Sequence, residues 1–322
     1  MFDAQGGRTR QYTAVVPAEA AGGRLDQVLA ALFPDYSRTR LQQWLRAGRI
    51  TVDGKSPRAR DRVWGGERIA LSALIETETP WQGQALPLEI VYEDGALLVI
   101  NKPPGVVVHP GAGNPEGTLV NALLHHAPEL AGVPRGGIVH RLDKDTSGLL
   151  AVARTLSAHK QLVAQLQART VKREYAAIVN GVLTAGGRIA LPIGRHPVER
   201  TRMAVVAGGR EAVSHYRVIE RFRAHTLVKV QLETGRTHQI RVHMAHLRHP
   251  LLGDPVYGGR LRLAAGAGEM LRDALRQFKR QALHAEALGL IHPERGEAMQ
   301  WEVPPPEDMQ RLVKVLRDDA HS

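Results

Sequence analysis

Apolar residues recur with a helical period from Arg24 onward. Leu25, Val28, Leu29, Leu32 and Phe33 fall at i, i+3, i+4, i+7 and i+8, which lines one face of a helix. Pro34-Asp35 ends that helix. Ser37 can N-cap a second one, with Leu41, Trp44 and Leu45 on its apolar face and Gly48 as its stop. Ile50-Thr51-Val52 then predicts a strand and Asp53-Gly54 a tight turn. Val63 to Leu71 predicts a returning strand that contains its own Gly65-Gly66 turn. Two short helices and a hairpin make a compact module over residues 23–80. Residues 1–22 carry little pattern and are expected as a flexible arm with a short strand from Tyr12 to Val16.

The periodicity fades over residues 72–87, which read as a linker, and the texture then turns to strands. Short apolar or alternating runs at Leu97–Ile100, Leu149–Val152, Tyr175–Val179, His215–Ile219, Leu227–Leu232 and Ile240–His243 predict strands. Helical spacing intervenes at 155–168 (Leu162, Val163, Leu166) and at 308–317 (Met309, Leu312, Val313, Leu316). The Gly-, Ala- and Arg-rich segment 256–282 reads as an insertion or long loop. Residues 81–322 are thus expected to form a mixed α+β domain dominated by antiparallel strands.

Composition narrows the function classes. No run approaches the length of a membrane span, and the first residues show no apolar stretch of the signal-peptide kind. With no cysteine, thiolate metal sites, iron–sulfur clusters and cysteine nucleophiles are excluded, and the expected compartment is the cytoplasm. The formal charge is +11, and the 43 cations comprise eight lysines and 35 arginines. Arginine forks match phosphates and stack on bases, so the excess points to a nucleic-acid partner. An arginine-rich proteome from a GC-rich genome is the bland alternative. Nine basic residues face three acidic ones between Arg38 and Arg68, which makes the first module the candidate phosphate-binding surface.

Several motifs fail their chemical test. Gly111-Ala112-Gly113 followed by Gly117 misses the dinucleotide spacing and reads as a loop, and no P-loop is present. His238, His243, His246 and His249 have no acidic residue among them, so packing or RNA contact is the better reading than a metal. The run from His140 to Leu150 is different. Two carboxylates and two fixed cations lie within five residues and lead directly into an apolar strand. A loop anchored on a strand holds side chains precisely. On residues alone, a surface turn with local ion pairs remains an equal alternative.

The run His140-Arg141-Leu142-Asp143-Lys144-Asp145-Thr146-Ser147-Gly148 resembles the signature of the RluA-type family of RNA pseudouridine synthases. Three further segments resemble that family in the right order. They are Asn101-Lys102-Pro103 with Gly105 and His109-Pro110, then Lys172-Arg173-Glu174-Tyr175, then Gly235 to His243, which continues into His249-Pro250-Leu251-Leu252-Gly253-Asp254. Arg24-Leu25-Asp26, Ser37-Arg38 and Val52-Asp53-Gly54-Lys55 are similar to an S4 RNA-binding domain, with Asp53 where Asn is more usual. Phe33 to Arg38, Asn121 to His125 and Arg195-His196-Pro197 look like the branch acting on large-subunit ribosomal RNA, which implies uridines in the loop of the stem called helix 69.

The resemblance implies an isomerase without cofactor or metal. Asp143 would be its nucleophile or base, and Asp145 would only make ion pairs. Arg241 would keep Asp143 charged in a dry pocket. Tyr175 would stack on the uracil and take the C5 proton, directly or through water. The target base must leave the RNA stack, with Arg141 filling its place and His140 lining the site. Arg38, Arg40, Arg46, Arg49 and Lys55 would contact phosphates. Without the resemblance, Tyr175 could be ordinary core and Arg241 a surface strand arginine. The expected partner is 23S ribosomal RNA or an assembling pre-50S particle, bound by a monomer away from membranes. A sister synthase acting on other ribosomal uridines and a non-catalytic S4-type RNA-binding protein are the alternatives.

Overall fold

The computed structural model describes residues 8–34, 36, 38–75, 81–111, 113–199, 201–259, 261, 263 and 266–321. The chain divides into two compact units, 1–80 and 81–322. Residues 1–7, the stop at Asp35, the cap at Ser37, linker positions 76–80 and Ala112 lie outside the described residues.

The first unit contains β1 (Arg8–Val15), α1 (Leu25–Leu32), α2 (Arg38–Arg46), β2 (Ile50–Val52) and β3 (Arg68–Ile75). Its sheet order is β1-β3-β2, antiparallel throughout. The helical spacing read from the sequence becomes a real face: Leu25, Val28, Leu29, Phe33, Leu41, Trp44 and Leu45 pack on Ile50, Ile69 and Leu71. Two expectations need correction. The strand expected from Tyr12 to Val16 is present but begins at Arg8, and the residues from Arg8 are not a flexible arm, because β1 pairs with β3 along its whole length from Arg8↔Ile75 to Val15↔Arg68 and Val16 is buried. The returning strand starts at Arg68 rather than Val63, since the Gly65-Gly66 turn precedes it and extended pairing begins only afterwards.

The second unit runs β4 (Ile90–Glu93), β5 (Leu97–Lys102), α3 (Leu119–His126), β6 (Ser147–Ala153), α4 (Leu156–Gln167) and β7 (Lys172–Asn180). It continues with β8 (Gly187–Ala190), β9 (Ile193–Arg195), β10 (Met203–Val205), β11 (Val213–Arg221), β12 (His225–Leu232) and α5 (Gln239–His246). It ends with α6 (Glu269–Gln277), β13 (Leu283–Ile291), β14 (Ala298–Glu302) and α7 (Glu307–Ala320). A nine-stranded sheet follows the order β4-β5-β6-β13-β7-β12-β11-β8, with β14 also paired to β13. Only the short β6–β13 contact is parallel.

Both faces of this sheet are covered, which explains why its strands read as continuous apolar runs. Alternate residues serve different cores. Leu98, Ile100, Leu150, Val152, Ala177 and Val179 face one side, where Tyr175 also points. Leu97, Val99, Leu149 and Ala151 meet Leu162 of α4 on the other, and Ile178 meets Leu271 of α6 and Met309, Leu312 and Leu316 of α7. Segment 256–282 therefore is not simply an inserted loop, because α6 packs its Leu271 and Leu275 into a core.

Ile240–His243 forms part of helix α5, not a strand. Four residues of alternation cannot separate the two, and this helix hides its amphipathicity because Gln239 through Met244 are all buried. Its polar residues satisfy themselves inside: His243 Nδ1 shares a hydrogen bond with Ser214 Oγ at 2.9 Å and Nε2 meets Leu191 O at 3.0 Å.

Candidate active site

The loop before β6 is fastened from several directions. Lys102, fully buried at the end of β5, donates from Nζ to the carbonyls of Pro103, Val106 and Lys144, each at 2.9 Å. Burial pushes its ammonium down to about 8, against the pull of Asp145 and Asp143. Thr146 donates its N–H to Asp143 O at 3.1 Å and accepts from Gln281 Nε2 at 3.0 Å. Gly148 sits where β6 meets β13. Any Cβ there would lie 2.2 Å from Ala285 O, and its φ of +113° suits glycine alone. Asp143 is thereby held in the loop that leads into β6.

Arg241 comes from α5, 98 residues further on, and joins two carboxylates. Its Nη1 donates to Asp143 Oδ2 at 3.0 Å, while Nε and Nη2 donate to Asp254 at 2.7 and 2.9 Å. Asp254 Oδ1 also accepts the backbone N–H groups of Val256 and Tyr257. Burial alone would raise the Asp254 carboxyl, but the Arg241 guanidinium outweighs it and holds it low. The same carboxylates raise Arg241 against its own burial. Its guanidinium carbon stands 5.1 Å from the ring centre of Tyr257.

Tyr257 also orients His238. Its hydroxyl accepts Met203 N–H at 2.9 Å and lies 2.9 Å from His238 Nδ1, to which it can donate. Burial keeps His238 below the ordinary imidazole range. Its Nε2 faces Asp143 Oδ1 at 3.9 Å. His238 adopts a left-handed backbone with φ +57°, a conformation uncommon for a residue with a side chain and often found at functional sites.

Asp143, His238 and Arg241 open onto a cavity of about 750 Å³, lined also by Tyr175, His140, Arg141 and Arg173. Tyr175 is only 6% exposed, and burial raises its phenol. Its hydroxyl makes no hydrogen bond among the described residues. His140 accepts Ala151 N–H through Nε2 at 3.0 Å, and burial, with Arg173 nearby, pushes it down to about 3. Arg141 is exposed at the cavity mouth. The arrangement places the Asp143 carboxylate, one buried aromatic ring and several cations around a space large enough for a nucleotide, with Glu233 also on its wall.

The profile of RNA pseudouridylate synthase matches residues 96–246, and that of the S4 domain matches residues 23–69. The chain is 60% identical over 312 residues to a protein of Pseudomonas aeruginosa named ribosomal large subunit pseudouridine synthase D, covering 97% of this chain and 98% of that one. The chain belongs to the RNA pseudouridine synthase family. A protein of the same name from Xanthomonas campestris is 57% identical, covering 95% of this chain and 93% of that one. The solved human RNA pseudouridylate synthase domain containing 4 is 27% identical with a TM-score of 0.57, covering 71% of this chain and 93% of that one.

As a pseudouridine synthase, the protein gathers Asp143, Tyr175, Arg241, His140 and Arg141 around one cavity, although they span about a hundred positions. Asp145 departs from expectation, since its carboxylate has no ion pair within 4 Å among the described residues; its carbonyl instead accepts from Arg280 Nη1 at 3.3 Å. In the S4 unit, Arg46 and Lys55 are exposed. Arg40 lies over the Trp44 ring, with its guanidinium carbon 5.4 Å from the ring centre, and Arg49 is half-buried. Arg38 is committed more than expected, donating to the buried Asp26 at 2.6 Å. Burial opposes the charge on Asp26, yet Arg38, Arg24 and Gln42 together hold it down to about 2.

Sequence reasoning gave no role to Asp254, Tyr257 or Lys102, and read His238 as packing or RNA contact rather than as a neighbour of Asp143. An acid closing an apolar stretch, as Asp254 does after Leu251-Leu252, was the one available signal for a buried partner of an arginine. Of the candidate histidines, His238, His243 and His249 are each occupied by a hydrogen bond, as with His249 Nδ1 and Asn180 O at 2.9 Å, whereas His246 is exposed.

Proposed function

We propose that the protein isomerises uridines in large-subunit ribosomal RNA, in the loop of helix 69, with Asp143 as the acting carboxylate and no cofactor. The observation that carries this is the Asp254–Arg241–Asp143 chain, whose accessible end opens into the Tyr175 cavity. Asp254 consumes two of the Arg241 donors and fixes the guanidinium, leaving Nη1 to hold Asp143 in place. The remaining oxygen of Asp143 is open to the substrate.

Pseudouridine formation breaks the N1–C1′ bond, turns the base and joins C5 to C1′, while N1 gains a proton and C5 loses one. No electrons are gained or lost overall, so the chemistry calls for no redox group. Asp143 acts as nucleophile or base on the nucleoside. Tyr175 lies beside it to stack on the uracil and to receive the C5 proton, directly or through water. The base reaches them by flipping, which costs a few kcal/mol of stacking, with Arg141 at the mouth to fill the gap. Arg40, Arg46, Arg49 and Lys55 of the S4 unit position the RNA through its phosphates. The names of the large-subunit relatives support the ribosomal substrate, and the working form is a cytoplasmic monomer. Tritium release from transcripts labelled at uridine C5 tests the assignment. Wild type releases label, and Asp143→Asn releases none while keeping its fold. Full turnover by Asp143→Asn would sink it.

A further inference from the structure

Arg173 is a buried cation whose charge the fold leaves uncompensated. It is 6% exposed and has no carboxylate within 4 Å among the described residues. Nearby acids are committed elsewhere: Glu174 to Lys229, Glu233 to His215 and Arg169, and Asp143 to Arg241. Its Nη2 donates to Glu233 O at 3.1 Å, whereas Nε is sealed from solvent without any acceptor. Nη1 donates to no group among the described residues. Burying such a charge is costly, and a fold that keeps it gains nothing in stability.

Two further observations say where that charge is aimed. Arg173 and Tyr175 are two apart on β7, so their side chains leave the same face of the sheet, and both line the cavity. Across from it, a Cβ on Gly235 would stand 2.7 Å from Nη1, so this position keeps the guanidinium tip uncovered. A phosphate stays with its strand at the cavity mouth, where Arg141 and Arg210 are exposed. The part of a flipped nucleotide that penetrates to the buried level of Tyr175 is the base.

We propose that Arg173 donates through Nη1 to a carbonyl oxygen of the flipped uracil and holds the negative charge that gathers there during the reaction. This rests on the uridine chemistry proposed above. When the N1–C1′ bond breaks, its electron pair leaves with the base and spreads onto the carbonyl oxygens. Attack at C6 would load one of the same oxygens, O4. Arg173 transfers no proton and forms no bond; it supplies a fixed charge in a water-poor site, where such a donor acts more strongly on the transition state than on the ground state.

The test compares wild type, Arg173→Met and Arg173→Lys on one transcript, measuring kcat, KM and Tm. Removing one donor to a developing negative charge lowers kcat by about 10²–10³. KM stays close to wild type, Arg173→Lys recovers part of kcat, and Arg173→Met melts at the same temperature or higher because a buried charge has been removed. Transcripts with 2-thiouridine or 4-thiouridine at the target complete the set. Sulfur accepts hydrogen bonds poorly, so one of them slows wild type while leaving Arg173→Met unaffected. A raised KM with unchanged kcat would make Arg173 a phosphate contact, and a lowered Tm would make it a packing residue; either overturns the proposal. Conversion by wild type with no effect in either variant overturns it alone, whereas no conversion by wild type overturns the uridine chemistry and this inference together.

Discussion

The two units treat buried charge in opposite ways. In the S4 unit, the one buried acid among the described residues, Asp26, receives hydrogen bonds from Arg24, Arg38 and Gln42, and the surplus cations Arg46 and Lys55 face solvent. In the catalytic cleft, charges are held but left open. Asp143 keeps 16% of its side chain exposed with Arg241 as its hydrogen-bonding partner, the Tyr175 hydroxyl has no partner among the described residues, and Arg173 has no counter-ion among them. A saturated ion pair can only hold structure. A group fixed in place with capacity to spare can act on something that arrives.

This contrast breaks most sharply at the two cleft arginines. Arg241→Met strips the shared partner from Asp143 and the buried Asp254, and removing one side of a buried pair costs about 3–5 kcal/mol. Denaturant unfolding should show that loss, together with abolished turnover. Arg173→Met should show no such loss. Equal destabilisation of both would mean that the distinction between saturated and open charge is wrong.

A second comparison uses acid. All 15 histidines lie beyond residue 80, so the S4 unit contains none. His140 sits at about 3 in the folded protein against 6.5 ordinarily, so the unfolded chain takes up its proton first. Stability of the catalytic unit therefore falls as pH drops from 6.5 towards 3, and His109, pushed down to about 4, adds to it. Asp26 is depressed from 3.8 to about 2, so its contribution is present above 3.8 and disappears only as pH falls towards 2. Hydrogen-exchange protection followed from pH 7 to 3 should weaken in the catalytic unit first. Loss in the S4 unit first would reverse the assignment.

How much of this is legible in the sequence depends on distance along the chain. The α1 spacing, the strands β5, β6, β7 and β12, and the helices α4 and α7 follow from local periodicity. Helix α5 reads as a strand because its polar residues are satisfied internally, which erases the amphipathic pattern. Strand β1 shows in sequence only as the short run from Tyr12, and its full length from Arg8 is not legible because its partner, β3, lies some sixty positions away. The site shows the same division. Asp143, Tyr175 and Arg241 stand in motifs, but that Arg241 is shared with Asp254, or that Lys102 ties down the Lys144 carbonyl, depends on tertiary proximity that no window of sequence contains.

Smaller effects sharpen the S4 side. Arg38→Ala leaves Arg24 and Gln42 on Asp26, and Arg38 is half-exposed, so thermal unfolding should reveal a loss of only about 1 kcal/mol or less. A chain beginning at Trp81 should still fold, bind the RNA more weakly and show a shallower salt dependence. On loop RNA, each phosphate that is no longer neutralised lowers the slope by about 0.7. Identical slopes for both lengths would show that the S4 cations do not engage this RNA.

The central claim is tested most directly by mapping pseudouridines in the large-subunit ribosomal RNA of a strain lacking this protein, then restoring either wild type or Asp143→Asn. The account predicts that modification in the helix 69 loop disappears with the protein, returns with wild type and does not return with Asp143→Asn. A map unchanged by the deletion, or restored by Asp143→Asn, would contradict it.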